Sequence, residues 1–99
     1  MQLREIAHSR TGDKGAVVTI SVIAYRSEDF PLIEERITAA RVTDYFSGMI
    51  NGPVIRYALP KLAALNFVLQ RPDGQSVTHT LAIDAHGKCL GSALLAMEV

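Results

Sequence analysis

Hydrophobic and polar positions are arranged along this chain in a way that predicts strands interspersed with helices. The clearest element is the stretch 16–24, which is rich in β-branched residues and contains no helix breaker. It predicts a central strand that is buried on at least one face, and we expect burial on both. A weaker alternation over residues 3–8 predicts a short first strand. The segment Ser9–Gly15 between them is polar and contains two glycines, which indicates a loop.

The middle of the chain predicts two helices. Pro31 suits the first turn of a helix, because its missing amide proton is not needed there, and apolar residues continue to Ile37. Thr38 is expected to cap a second helix by accepting a hydrogen bond from the amide of Ala40 or Arg41. The apolar residues of that helix follow the spacing i, i+3, i+4 and i+7, which predicts a stripe facing the core. They are Val42, Tyr45, Phe46 and Met49.

The second half of the chain leaves two segments open between helix and strand. Residues 54–58 predict a short strand, and the alternation over 77–83 predicts another, followed by a turn at 84–88. The segment 60–70 has apolar residues at helical spacing, but part of it suits a strand equally well. Residues 89–99 are interpreted as a last strand, with a short helix as the alternative.

The resulting order of elements is β-β-α-β-α-β-β, in a single domain spanning residues 1–99. At this length, helices packed on one face of a sheet are the economical arrangement. We therefore predict an α+β fold, a two-layer sandwich with a mixed sheet and two helices on one face. The nearest common architecture is the ferredoxin-like plait.

The charge balance limits the partners of such a domain. Ten basic and ten acidic side chains give a net charge of zero, so no basic excess is available for nucleic acid or for anionic lipid. The longest weakly polar stretch is far shorter than the roughly 20 residues of a membrane-spanning helix. A single cysteine, Cys89, excludes an internal disulfide and favours a cytoplasmic setting. Near-zero net charge also favours association with a partner.

The densest cluster of reactive side chains is the run 8–15, with the sequence HSRTGDKG. Arg10 offers a bidentate fork and Lys14 a point charge, both of which suit a carboxylate or a phosphate. The two glycines permit a nest of amides that binds anions. The ligand-binding candidates are these residues and one polar residue in a later apolar stretch: Arg10, Thr11, Gly12, Lys14, Gly15 and Asn66.

Catalysis by the same run would depend on His8 and Asp13. Histidine is the side chain that most often serves as a general acid or base, and a carboxylate can orient it. The spacing of the run differs from that of a P-loop, because a glycine follows the lysine directly. The three histidines of the chain do not have metal-ligand spacing, so we expect neither a metal nor a cofactor.

Four short motifs follow one another along the chain: HSRTGDKG at 8–15, RYALP at 56–60, LNFVL at 65–69 and DAHGK at 84–88. Together they resemble the small C-terminal domain of the acyclic terpene utilisation (AtuA-like) proteins, over nearly the whole chain. The resemblance implies a ferredoxin-like fold and a link to the catabolism of acyclic terpenes and related acyl-CoA compounds. It brings no settled reaction. The sequence departs from the family pattern at 71–74, where relatives tend to carry a Gly-Gly stretch.

Three functions follow as hypotheses. The first is an accessory subunit that docks on a larger AtuA-like chain and presents the run 8–15 to a small anionic ligand. The second is a small enzyme in its own right, a lyase, isomerase or hydrolase, in which His8 and Asp13 act as acid and base. The third is a structural module that associates with itself as a homo-oligomer.

Overall fold

In the residues that the computed structural model describes, four strands form one layer and the helices form another. The structure describes residues 1–14, 17–47, 50, 52–70 and 88–99. The strands are β1 (Ala7–Lys14), β2 (Val17–Ala24), β3 (Ile55–Leu59) and β4 (Ala64–Gln70), and the helices are α1 (Phe30–Arg36), α2 (Ala39–Tyr45) and α3 (Lys88–Leu95). Short 3-10 helices lie at Leu3–Glu5, Ser27–Asp29 and Pro60–Leu62. The predicted α+β class is confirmed.

The described strands form one sheet in the order β1-β2-β4-β3. All three neighbouring pairs are antiparallel, whereas we expected a mixed sheet. The connections explain two of these pairs, because β1 and β2 follow one another along the chain, as do β3 and β4, and successive strands with short connections pair antiparallel. A 3-10 turn and Ala63, which has a left-handed backbone with φ of 52°, join β3 to β4.

One face of the sheet meets the helices and forms the core. Burial alternates strictly along β2, so this central strand is buried on one face, and the expectation of burial on both faces is wrong. Its inward residues pack with those of β4 and of the helices. The largest fully buried side chains are Phe46, Phe67, Leu3, Ile20, Ile33, Ile37, Leu65, Leu69, Leu94, Val18, Val22 and Val42.

The helices begin where the sequence predicts. Pro31 lies in the first turn of α1, and the side chain of Thr38 accepts a hydrogen bond from the Arg41 amide at 3.2 Å, which confirms the predicted cap of α2. The end of α1 is anchored to the sheet by Arg56 of β3. Its guanidinium donates to the carbonyl oxygens of Glu34 and Ile37, at 2.7 and 3.1 Å. A cation at the carbonyl end of a helix is stabilising.

The segment Lys88–Leu95 folds as the helix α3, whereas we expected a last strand over 89–99. Leu90 and Leu94 are buried at the spacing i and i+4, which places them on one side of the helix, and Met97 is buried just beyond its end. The alternative left open for 60–70 is settled as well. Residues 64–70 form β4, with Leu65, Phe67 and Leu69 buried on the inward face, so the helical interpretation of this segment is wrong.

The N-terminal segment is the remaining local difference from the predicted elements. Residues 3–5 form a 3-10 turn rather than the start of a strand, because the Glu5 carboxylate accepts a hydrogen bond from the Gln2 amide at 2.8 Å. The chain ends lie side by side: the Val99 amide donates to the Met1 carbonyl at 2.9 Å, and Gln2 forms an antiparallel bridge with Glu98.

Some predictions fall outside the described residues. They concern the strand at 77–83, the first four residues of the turn at 84–88, and the contribution of Met49 to the core stripe. In the parts of the chain that the structure describes, no helix is long and apolar enough to cross a membrane.

Candidate functional site

Most of the run 8–15 belongs to a strand and not to the predicted loop. Residues 8–14 pair in register with β2, from His8 opposite Ile23 to Lys14 opposite Val17. Polar composition and a glycine indicated a loop, but strand formation depends on the pairing partner more than on intrinsic preference. Gly12 lies opposite Thr19 and has no positive φ. Gly15, the second glycine of the proposed anion-binding nest, lies outside the described residues.

The strand geometry divides the predicted site residues. Successive side chains of a strand point to opposite faces, and residues paired across strands share a face. Thr11 pairs with the buried Ile20 and therefore faces the helices, whereas His8 and Arg10 lie on the opposite face. His8 and Asp13 are five residues apart in one continuous strand, so their Cα atoms are separated by about 16 Å. A direct hydrogen bond between these two side chains is out of reach at that distance.

The face of the sheet that points away from the helices is the surface on which several candidates meet. We call it the open face, and its members follow from the pairing register and the alternation along each strand. Ile55 and Tyr57 are 45% and 52% exposed there. In the described residues, the open face comprises His8, Arg10, Gly12, Val17, Thr19, Ser21, Ile23, Ile55, Tyr57, Leu59, Ala64, Asn66, Val68 and Gln70, and Lys14 holds a register position on the same face, opposite Val17.

A straight line of polar residues crosses the open face from one edge strand to the other. Arg10 lies opposite Ser21, Ser21 lies opposite Asn66, and Asn66 lies opposite Tyr57. We call these four residues the donor row. The hydroxyl of Ser21 donates to Oδ1 of Asn66 at 3.3 Å, in a partly buried position. Two candidates from distant parts of the chain, Arg10 and Asn66, are thus brought onto one line.

The margins of the open face are aromatic and aliphatic. At the β1 end, the ring of His8 stacks on Tyr25, with the ring centroids 5.3 Å apart and the planes at 27°. At the β3 edge, Leu59 also lines a hollow of about 580 Å³ with Pro60 and Leu62. Leu62 is among the most exposed apolar side chains of the described residues.

Thr11 contributes to a second feature, on the other side of β1. Here α3 crosses the strand closely at Gly91. A Cβ atom on this residue would lie only 2.6 Å from the hydroxyl oxygen of Thr11 and 2.8 Å from that of Ser9. A cleft of about 370 Å³ opens beside this crossing and is lined by Ser9, Thr11 and Ser92. Arg10 also lines it, because β1 is an edge strand and Arg10 borders both the cleft and the open face. Three of the lining residues carry a hydroxyl group. Asn66, the predicted ligand residue from the later part of the chain, lies on the opposite face of the sheet and does not contribute to the cleft.

Arg56, the first residue of the motif RYALP, lies far from the run 8–15. It lies in the edge strand farthest from β1 and turns to the carbonyl groups at the end of α1. Sequence reasoning also missed Ser21 as a site residue. The signal was present, since Ser21 is a hydroxyl within the otherwise apolar stretch 20–24. Without the register, nothing placed it beside Asn66.

A metal centre finds no set of ligands in the described residues. Within residues 1–14, 17–47, 50, 52–70 and 88–99, no three His, Cys, Asp or Glu side chains come together to hold a metal ion. His79 and His86 lie outside these ranges.

Comparison with known proteins gives one match. A family model described as the AtuA ferredoxin-like domain matches residues 1–99, which is the whole chain. No curated protein and no solved structure matches it. The match agrees with the α+β architecture of the described strands and helices.

Proposed function

We propose a binding role for this chain, and the premise is that the chain belongs to the AtuA ferredoxin-like domain family. In this proposal the domain is an accessory subunit that docks on a larger chain through its open face. We extend the proposal to the catabolism of acyl-CoA or terpenoid compounds, an extension that rests on the resemblance of the motifs alone.

The observation that carries the proposal is the composition of the open face. The solvent face of an antiparallel sheet is ordinarily polar, yet Ile55, Tyr57 and Leu59 are exposed here. Tyrosine and arginine are enriched in protein interfaces, and Arg10 lies on the same face. Exposed apolar patches of this kind mark interaction sites.

The size of the open face is sufficient for a small specific interface. Four strands at a spacing of about 4.8 Å and about eight residues of β2 cover roughly 500 Å². Both partners together then bury about 1,000 Å², which is the lower limit of a specific interface. The hollow beside Leu59 gives a partner side chain a place to anchor, as the energetic centres of interfaces commonly do.

Catalysis by His8 and Asp13 is the weaker alternative, because their Cα atoms lie about 16 Å apart along β1. Self-association is a closer rival, since an apolar sheet face suits a second copy of the chain as well as a larger partner. The experiment must therefore distinguish these two occupants by mass.

Photo-crosslinking at two matched tyrosines tests the proposal. The photoreactive residue p-benzoylphenylalanine is placed at Tyr57 on the open face or at Tyr45 in α2, which are 52% and 42% exposed. In native cells we expect one adduct larger than a dimer, formed from position 57 and absent from position 45. The substitution Ile55→Asp should abolish it, because it places a charge in the apolar patch.

Three results would contradict docking on a larger chain. An adduct with the mass of two copies would assign the open face to self-association. Equal adducts from both positions, or an adduct that Ile55→Asp leaves unchanged, would show that the open face does not select a partner.

A further inference from the structure

The donor row has an unused set of hydrogen-bond donors at its centre. Because Oδ1 of Asn66 accepts the Ser21 hydroxyl at 3.3 Å, the acceptor of this amide is engaged. Its Nδ2 group, which carries two protons, has no hydrogen-bond partner among the described residues. Asn66 is only half-buried, so these protons are accessible from the open face.

Arg10 and Tyr57 extend this set of donors on either side. Arg10 is exposed and lies two strands from Asn66, at a distance of about 10 Å between backbones. The residue between them is the small Ser21, so the long side chain of Arg10 has room to extend toward the amide. The Tyr57 hydroxyl is an additional donor on the far side. A line of N–H and O–H groups suits an anion.

The charge of the donor row selects the kind of anion. Arg10 is the charged residue of the row, and neither Asp nor Glu occurs on the described part of the open face. Lys14 holds a register position four residues, about 13 Å, further along β1. One guanidinium matches one carboxylate in charge and in planar, bidentate geometry. A phosphate dianion would leave one negative charge without a partner in the row, and docking of the largely apolar surface around the row would remove the water that solvates this charge, which is costly.

We infer that the donor row is a carboxylate-binding site, and that its occupant is an Asp or Glu side chain of the partner that docks on the open face. This inference rests on the proposed function and adds the chemistry of the partner. The partner surface carries a carboxylate at its centre with apolar side chains around it, which meet Ile55, Val68 and Leu59. Arg10 binds the carboxylate by its fork, and Nδ2 of Asn66 donates to the same group.

Titration of the isolated 99-residue chain tests the site without the partner. The chain is titrated with sodium acetate as the probe of a carboxylate site and, separately, with inorganic phosphate as the competing anion. Sodium chloride at equal ionic strength serves as the control. In ¹H–¹⁵N spectra we expect acetate to shift the side-chain amide of Asn66 and the backbone amides of Arg10 and Ser21. Arg10→Gln should weaken acetate binding about tenfold, because it removes a charge-assisted pair.

A matched variant separates the site from the overall charge. Arg36→Gln removes one exposed cation at the end of α1, in the layer on the other side of the sheet, and should bind acetate like the wild type. The inference fails if Arg10→Gln also binds like the wild type, or if the shifts cluster away from the row. Tighter binding of phosphate than of acetate would overturn the choice of a carboxylate.

The crosslinking experiment at position 57 distinguishes the carboxylate site from the docking of the open face on a partner. Arg10→Gln should lower the yield of the adduct formed from position 57 about tenfold. An adduct that persists in full while acetate fails to bind would refute the carboxylate site and leave docking intact. Acetate binding at the row without any adduct would refute the protein occupant.

Discussion

Replacement of Gly91 by alanine tests how closely α3 approaches β1. The new Cβ atom would lie 2.6 Å from the Thr11 hydroxyl oxygen and 2.8 Å from the Ser9 hydroxyl oxygen, whereas ordinary contacts begin near 3.4 Å. Ser9 can rotate its hydroxyl away. Thr11 has two heavy atoms on Cβ and is restricted in its rotation. Either Thr11 must therefore adopt another rotamer against α3, or the helix must move away from β1 by less than about 1 Å.

Two opposing effects set the size of the change. Forcing extra volume into a packed contact costs about 1–3 kcal/mol. Alanine in place of glycine inside a helix raises the free energy of unfolding by about 1 kcal/mol through its higher helix propensity. We therefore expect Gly91→Ala to lower the free energy of unfolding by about 1 kcal/mol, which for a domain of this size lowers Tm by roughly 4–8 °C.

The assay is urea unfolding of Gly91→Ala in two backgrounds. In the background Ser9→Ala, Thr11→Ala the obstructing oxygens are absent, so the same substitution should become neutral or stabilising by up to about 1 kcal/mol. Ser92→Ala is the control, because Ser92 is the exposed neighbour of Gly91 on α3 and its replacement creates no such contact. An equal loss of stability from Gly91→Ala in both backgrounds would refute the close approach as its cause.

Three further substitutions probe features of the described fold, each measured by chemical unfolding. Thr38→Ala removes the cap of α2 and should cost about 1 kcal/mol; Thr38→Ser, which keeps the hydroxyl, should cost less. Arg56→Gln should cost about 1.5–3 kcal/mol, because the charged hydrogen bonds to the end of α1 are lost, and a cost below about 0.5 kcal/mol would contradict that anchor. Phe67→Ala should cost about 3–5 kcal/mol through the cavity it leaves, whereas Tyr57→Ala on the open face should have a far smaller effect.

The polar composition of the run 8–15 explains why its structure could not be predicted. Apart from Thr11, nothing within residues 9–14 favours a strand, and the hydrogen bonds that make it one come from β2, across a connection of two residues. Once the strand is known, alternation alone separates His8 from Asp13. The local preference of this segment for a loop is weaker than the effect of pairing with β2, and that pairing cannot be recognised from the residues of the segment itself.

The opposite situation holds where two periodicities coincide. In 89–99 and 60–70 the apolar residues fit both a helix and a strand, and the choice depends on which surface is available to bury them. The cap at Thr38 was predictable, because it depends on one hydroxyl and one amide three residues away. Asn66 could be singled out as a polar residue in an apolar stretch, but its neighbours Ser21 and Tyr57 follow only from the order of the strands.

The pairing of the two chain ends has a consequence for how the domain folds. The bridge between Gln2 and Glu98 and the hydrogen bond from Val99 to Met1 close a loop of nearly the whole chain, and the entropy cost of closure rises with loop length. These contacts are therefore expected to form late and to exchange their amide protons early. In a circular permutant that links Val99 to Met1 through a short glycine linker, these late contacts would join residues that are close along the chain.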